Sequence, residues 1–369
     1  MSAVVSGKRD PIHKRVARAG YRYALAIETA LTARRRPGPA KVSYAGARAG
    51  SGGGPLVKLA RLRAFFPQAR RDYNLVYLLS NAPYLGRSAL GVLRRRHVPI
   101  VLNQNGVFYQ AWFDGDWRAK NAEMAVGYHM AGHVFWQSEF CRRCADRFLG
   151  ERAGPGEVLY NAIDTDHFVP APTRPTRPVT FLVAGKIEHH LYPRIGDALE
   201  ALARLRVDEK DVRLVIAGSL DQQSAGRCSE DVTRLGLADV VVLAGPYSQA
   251  DAPDVYRSGD IYLMTKPNDP CPNTVLEAMA CGLPVIYSAT GGVPELVGDD
   301  AGWPLECVED FDAMRWPDVT ALAGSMATAA DQHVAAGRQA RERAVERYGI
   351  EHWIGRHRAV FEALLEESP

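Results

Sequence analysis

The chain has 369 residues, 47% hydrophobic and 24% charged, with 33 Gly and 23 Pro. That balance excludes disorder, collagen and coiled coil, and the length exceeds what one core of about 250–300 residues holds, so two domains are expected. The net charge of +3 hides an asymmetry. Residues 1–71 carry sixteen Lys or Arg against Asp10 and Glu28, so the rest of the chain is net acidic.

Such a basic end suits an anionic membrane surface, a phosphorylated acceptor or nucleic acid. The stretch Ala278 to Pro294 is apolar but broken by Gly and Pro, and the N-terminus lacks an apolar signal core. Six cysteines are scattered through the chain rather than set as a disulfide framework. Together these read as a protein of the reducing cytosol.

In chain order, Ile12, Val16, Ala19, Tyr23, Ile27 and Leu31 recur at helical spacing, with Lys14, Arg18 and Arg22 on another face. Residues 1–38 are thus a basic helical extension, ended by Arg34-Arg35-Arg36 and Pro37-Gly38-Pro39. Its apolar face docks either on the protein's own core or on an anionic membrane, the second option involving residues 8–36. Residues 39–169 read as a first α/β domain. Ala40–Ala45, Asn74–Ser80, Pro99–Asn103 and His133–Gln137 have strand character, with helices at Leu56–Phe66 and up to Arg94-Arg95-Arg96. Gly52, Gly53 and Gly54 precede the first of those helices, where backbone can approach a ligand.

Four prolines within 170–178 mark the interdomain linker. The alternation restarts in a second domain, 179–340. Its strands are Val179–Ala184, Val212–Ala217, Val240–Ala244, Ile261–Met264 and Pro284–Ser288. Its helices are Ile195–Leu205, one around Asp231–Leu235, Asp251–Arg257 and Asn273–Cys281. Helices at Ala321–Arg347 and His352–Leu365 close the chain, with 341–369 assigned back to the first domain.

The segment 269–298 concentrates the chemistry. A strand enters a loop and then a helix whose free N–H groups suit a phosphate, with Glu277 placed to accept from both hydroxyls of a ribose. Thr274-Val275-Leu276-Glu277 equally matches a capping box, in which Glu277 only closes its own helix. Asp164-Thr165-Asp166 and Asp114-Gly115-Asp116 have D-x-D spacing but suit turns. Cys141 and Cys144 lack a second ligand pair, and neither a P-loop nor a full G-x-G-x-x-G is present.

The run Glu277-Ala-Met-Ala-Cys-Gly-Leu-Pro-Val285 with Gly291-Gly292-Val293-Pro294-Glu295 resembles the signature of the family 4 glycosyltransferases. Ser138-Glu139-Phe140, Asn161-Ala162-Ile163-Asp164 before Phe168, and Arg347-Tyr348 before Trp353 add to the likeness. The resemblance implies a GT-B fold: two doubly wound Rossmann-like domains facing a cleft, with a C-terminal helix crossing back to the first. It implies a retaining enzyme that moves a sugar from a UDP- or GDP-sugar to a hydroxyl of a glycan or lipid-linked acceptor, in envelope polysaccharide or glycolipid synthesis. No metal, cofactor or nucleic acid is expected.

By the same resemblance Glu277 binds the donor ribose, and Asp269, where the family usually has Glu, holds the transferred sugar. Asn273, Thr274 and Val275 offer backbone to sugar and diphosphate. Gly185 and Lys186 follow the strand where the family shows Gly-Arg, and the second diphosphate cation is displaced to Arg194. Tyr247 lies near the base. Asn103 and Asn105 end a strand on the acceptor side, Gly52–Gly54 close over the cleft, and His189 and His190 line it without acting as a base. A nucleotide-sugar epimerase and a non-catalytic binding protein are the alternatives.

Overall fold

The computed structural model describes residues 12–47, 49–50, 54–173, 178–207 and 210–366. Among the described residues the chain divides into two compact units, 12–160 with 351–366, and 161–350. The division lies upstream of the Pro-rich segment. Beyond Tyr160 the chain is tied to the second unit: Asn161 Nδ2 donates to Cys271 O at 2.9 Å and Ile163 N to Tyr348 O at 2.8 Å.

The first unit is built on a parallel five-stranded sheet in the order β1 (Val42–Ser43), β2 (Leu75–Leu79), β3 (Ile100–Gln104), β4 (His133–Trp136), β5 (Gly156–Val158). β2 and β3 are buried along their whole length; β2 is apolar throughout, and β3 ends on the buried polar pair Asn103-Gln104. Helices α1 (Ile12–Thr32), α2 (Gly54–Phe65), α3 (Arg87–Arg95), α4 (Trp117–Met130) and α5 (Glu139–Leu149) complete it.

β1 is only two residues of the expected Ala40–Ala45, because the chain turns off through Ala45 (φ 49°) and Gly46 (φ 79°). α4 and β5 were not foreseen. α4 buries Asn121, Met124 and Tyr128 but has little apolar periodicity to announce it.

The second unit has a parallel six-stranded sheet in the order β11 (Gly302–Leu305), β10 (Val285–Ser288), β9 (Ile261–Met264), β6 (Val179–Ala184), β7 (Val212–Ala217), β8 (Val241–Gly245). The chain runs outward from β6 to β8, then returns to start again at β9. The carboxyl ends of β6 and β9 therefore flank a topological switch point, where sheets of this kind bind ligands. The helices are α6 (Pro193–Val207), α7 (Gln222–Arg234), α8 (Ala252–Arg257), α9 (Asn273–Ala280), α10 (Val293–Val297) and α11 (Val319–Tyr348). α10 and β11 had no counterpart in the sequence reading.

The last helix, α12 (Ile350–Glu366), packs into the first unit, as expected of a C-terminal helix that crosses back. Its His357 stands among Trp353, Phe135 and Tyr77, and Phe361 packs edge-on against Phe66. Arg356 makes a forked contact with Glu157, both bonds 3.0 Å.

Candidate active site

α9 begins where the loop after β9 ends, at the switch point. Its N-cap is Pro272, which offers no side-chain cap; Val275 N donates to Pro272 O at 3.2 Å, and the amides of Asn273 and Thr274 are left to another acceptor. The capping-box reading of Glu277 fails here. Glu277 lies past the first turn, is 3% exposed, and accepts from Tyr256 Oη at 2.7 Å.

Around it Tyr256, Tyr262 and Tyr247 form a phenol cluster. Burial holds all three hydroxyls above their ordinary pKa, and the Glu277 charge adds to the shift. Each phenol therefore remains a neutral donor. Tyr247 is half-buried, in the loop after β8.

Arg194 enters the same cluster. It is buried at 5% exposure; its Nη2 donates to Ala184 O at 3.2 Å and lies 3.5 Å from Tyr262 Oη, while its buried Nε has no partner. Gly185, at φ 122°, sits between Arg194 and Thr274: a Cβ there would lie 3.9 Å from Arg194 Nη1 and 4.0 Å from Thr274 Cγ2. The buried Oδ1 of Asn273 also lacks a partner. Gly185, Arg194, Asn273, Thr274 and Glu277 are thus gathered at one end of the sheet, with Val275 buried in the first turn of α9.

Asp269 accepts a 2.8 Å ion pair from Lys266, and both side chains are largely buried. Its backbone is gripped by the glycine pair: Gly292 N donates to Asp269 O at 2.8 Å. Gly291, at φ 80°, could not carry a Cβ, which would stand 2.6 Å from that same oxygen. The G-G-x-P-E motif therefore sets the position of Asp269. Sequence reasoning missed Lys266, whose only signal is its place three residues before Asp269.

Other expected residues fall elsewhere. Lys186 is turned to solvent, 73% exposed, and pairs with Glu188. His189 is half-exposed against Asp221, which also takes its backbone N–H at 2.9 Å. His190 is buried, and burial lowers its pKa against the pull of Glu188, with Lys266 and His189 lowering it further. It is neutral near pH 7.

In the first unit Asn103 and Asn105 are joined by a buried lysine that sequence reading passed over as part of a helix. Lys58 Nζ donates to Asn103 Oδ1 at 2.7 Å and Asn105 Oδ1 at 3.1 Å, and Gln137 also donates to Asn105. Gly52 and Gly53 lie outside the described residues, and Gly54 opens α2.

The D-x-D spacings serve turns and caps. Asp164 Oδ1 takes the amides of Asp166 and His167, and Asp116 caps α4 through Ala119 N. Cys141 and Cys144 are buried in α5. Among the described residues no group of three or more His, Cys, Asp or Glu is placed to hold a metal.

The family described as "Glycosyl transferases group 1" matches residues 178–323. Mannosylfructose-phosphate synthase of Agrobacterium fabrum is 32% identical over 106 residues, 28% of this chain and 23% of that protein. D-inositol 3-phosphate glycosyltransferase of Mycolicibacterium smegmatis is 29% identical over 175 residues, 44% and 38% respectively. The chain thus spans less than half the length of these curated relatives.

Among solved structures, Anabaena HepE in complex with UDP and glucose superposes with a TM-score of 0.64 at 20% identity, covering 84% of this chain and 82% of that one. Sucrose-phosphate synthase from Thermosynechococcus elongatus gives 0.64 at 18% identity, covering 99% and 96%. Those likenesses establish the GT-B fold class for the two parallel-sheet units. The motif around Glu277 lies inside the matched segment, so residues 178–323 are similar to the group 1 glycosyltransferases, and over the rest of the chain the likeness is one of fold.

Proposed function

We propose that the protein is a retaining glycosyltransferase that moves a sugar from a nucleotide-sugar to a hydroxyl of a glycan or lipid-linked acceptor. The observation that carries this is Glu277, a buried carboxylate of α9 held by Tyr256, in a tyrosine cluster that the buried Arg194 also meets through Tyr262. In this reading Glu277 accepts from the ribose hydroxyls, and Tyr247 borders the base. Asp269 accepts from the transferred sugar while Lys266 fixes its orientation. Gly185 and the α9 amides of Asn273, Thr274 and Val275 approach the diphosphate.

Arg194 carries the charge role. It offers an unspent Nε in a dry setting, where a cation stabilises a leaving diphosphate far more than in water. Lys186, paired in solvent with Glu188, is given none. The C1–O bond to the diphosphate breaks as the acceptor oxygen bonds to C1 on the same face. The acceptor proton passes to a phosphate oxygen, and the nucleoside diphosphate departs. No protein base is needed in this reading.

HepE was solved with UDP, which makes uridine nucleotides the first donors to try. Because Arg194 and the amides at the start of α9 supply the positive charge, we read the reaction as needing no metal. Cytoplasmic location, peripheral attachment to an anionic membrane and a part in polysaccharide or glycolipid synthesis belong to the same proposal. Among the described residues, no helix is long and apolar enough to cross a membrane.

The test is acceptor-dependent release of nucleoside diphosphate from UDP- and GDP-sugars, with the anomeric configuration of the product read by NMR. A product that keeps the donor's configuration, formed equally in EDTA, supports the proposal. An epimerised free sugar nucleotide, an inverted product, or binding without turnover over a broad acceptor panel would replace it.

A further inference from the structure

α1 presents to water the face that its sequence pattern would bury. At about 100° per residue, Val16, Tyr23, Ile27 and Leu31 fall on one stripe. The structure leaves them 66%, 71%, 44% and 71% exposed. The opposite side of the helix meets the body of the first unit. Thr29 and Ala33 are buried there, and Tyr21 Oη donates to Gly46 O at 3.0 Å. The Thr32 and Tyr73 hydroxyls meet at 3.3 Å, and Arg22 pairs with Glu123. Tyr21, Leu25, Thr29 and Ala33 thus anchor the helix, and Val16, Tyr23, Ile27 and Leu31 point away. Of the two dockings open to the sequence, the one on the protein's own core is not what the structure shows.

The surroundings of the stripe identify its partner. Glu28 is the only acidic residue of α1; its Lys14, Arg18 and Arg22 fall on the side away from the stripe, where Arg22 pairs with Glu123, so the charge beside the stripe comes from the arginines that follow the helix. Its C-terminal end runs into Arg34, Arg35 and Arg36 beside the basic end of α3, where Arg96 donates to Ala33 O at 2.8 Å. A second copy laid on this face would bring like charges together. A surface that is apolar within and anionic without answers both features.

We propose that α1 lies in the interface of an anionic lipid bilayer, with Val16, Tyr23, Ile27 and Leu31 inserted below the headgroups. Arg34–Arg36 and Arg94–Arg96 then sit at headgroup level, their stems along the apolar surface. This deepens the membrane part of the preceding reading and rests on it only for the class of partner. Lipid binding is measured without donor or acceptor, so its failure and a failure of glycosyl transfer are separate results.

The experiment is flotation of the full chain on phosphatidylcholine vesicles with and without phosphatidylglycerol, beside the V16S/Y23S/I27S/L31S variant. Sizing without vesicles and thermal unfolding accompany it. The full chain is expected to float with the anionic vesicles only. The variant should partition about a hundredfold less or weaker still, because four inserted side chains are lost, while unfolding at the same temperature as the parent. Equal flotation of the two proteins, no flotation of the full chain, or a dimer that the variant dissolves would each overturn the proposal.

Discussion

Replacing Glu277 with Gln changes one atom of a buried carboxylate and tests its proposed role without emptying its place. Tyr256 Oη, 2.7 Å from Oε2, keeps an oxygen acceptor in the amide, so the fold should survive. What disappears is the charge. Hydrogen bonds to a charged group are worth about 1.5–3 kcal/mol against about 0.5–1.5 for neutral pairs, so two ribose hydroxyls together lose about 2–3 kcal/mol. That corresponds to nucleotide affinity weaker by about 30–150-fold. Titration calorimetry with the preferred nucleoside diphosphate reads the affinity, and thermal unfolding of the ligand-free protein checks the fold. A folded E277Q protein that binds within about threefold of the parent would refute the assignment of Glu277 to the nucleotide.

Exchanging Arg194 for Met should cut the transfer rate by about 10²–10³, as loss of a buried electrostatic donor does. Lys186→Ala should change it less than about threefold, since that side chain is spent on Glu188 in solvent; steady-state kinetics of the pair separates them. Gly291→Ala forces a left-handed backbone (φ 80°) and a 2.6 Å contact on Asp269 O. A loss of at least about 2 kcal/mol by urea unfolding is expected, with weakened sugar-nucleotide binding because Asp269 must shift. His357, wholly buried in the first unit, has its pKa pushed down to about 3 chiefly by burial. The unfolded chain therefore binds a proton near pH 6.5 that the folded one refuses. The resulting stability is whole above that pH and falls by about 2 kcal/mol at pH 5, with further loss toward pH 3. The H357Q variant should show a shallower acid limb in urea midpoints; an unchanged limb would contradict this.

The second unit was legible because its central strands are buried on both faces. β6, β7 and β9 lie within a residue of where their apolar runs stand, and α9 follows the motif that names it. Elements that take their stability from tertiary contacts gave no such signal. α4 is barely amphipathic, and α10 and β11 are short.

At the site, sequence spacing located Glu277, Asp269 and the α9 start, but could not separate a ligand carboxylate from a helix cap. That choice turned on Tyr256, sixteen positions outside any capping geometry and readable beforehand only as a core residue. Motif position alone also ranked Lys186, next to Gly185, above the displaced Arg194. Burial reverses them, and it adds Lys266 and Lys58, which their sequence neighbours do not distinguish from surface lysines. For α1 the periodicity was plain, yet periodicity marks an apolar face without saying what covers it.

The central claim is that the end of the second sheet binds a nucleoside diphosphate without metal. It is tested most directly by thermal unfolding in UDP, GDP and ADP, each with and without EDTA. A ligand at 100 times its dissociation constant adds about 2.7 kcal/mol, a shift easily measured. The account predicts that one nucleotide raises the midpoint, equally in EDTA, and that E277Q loses most of the shift. No shift with any nucleotide, or one that EDTA abolishes, would contradict it.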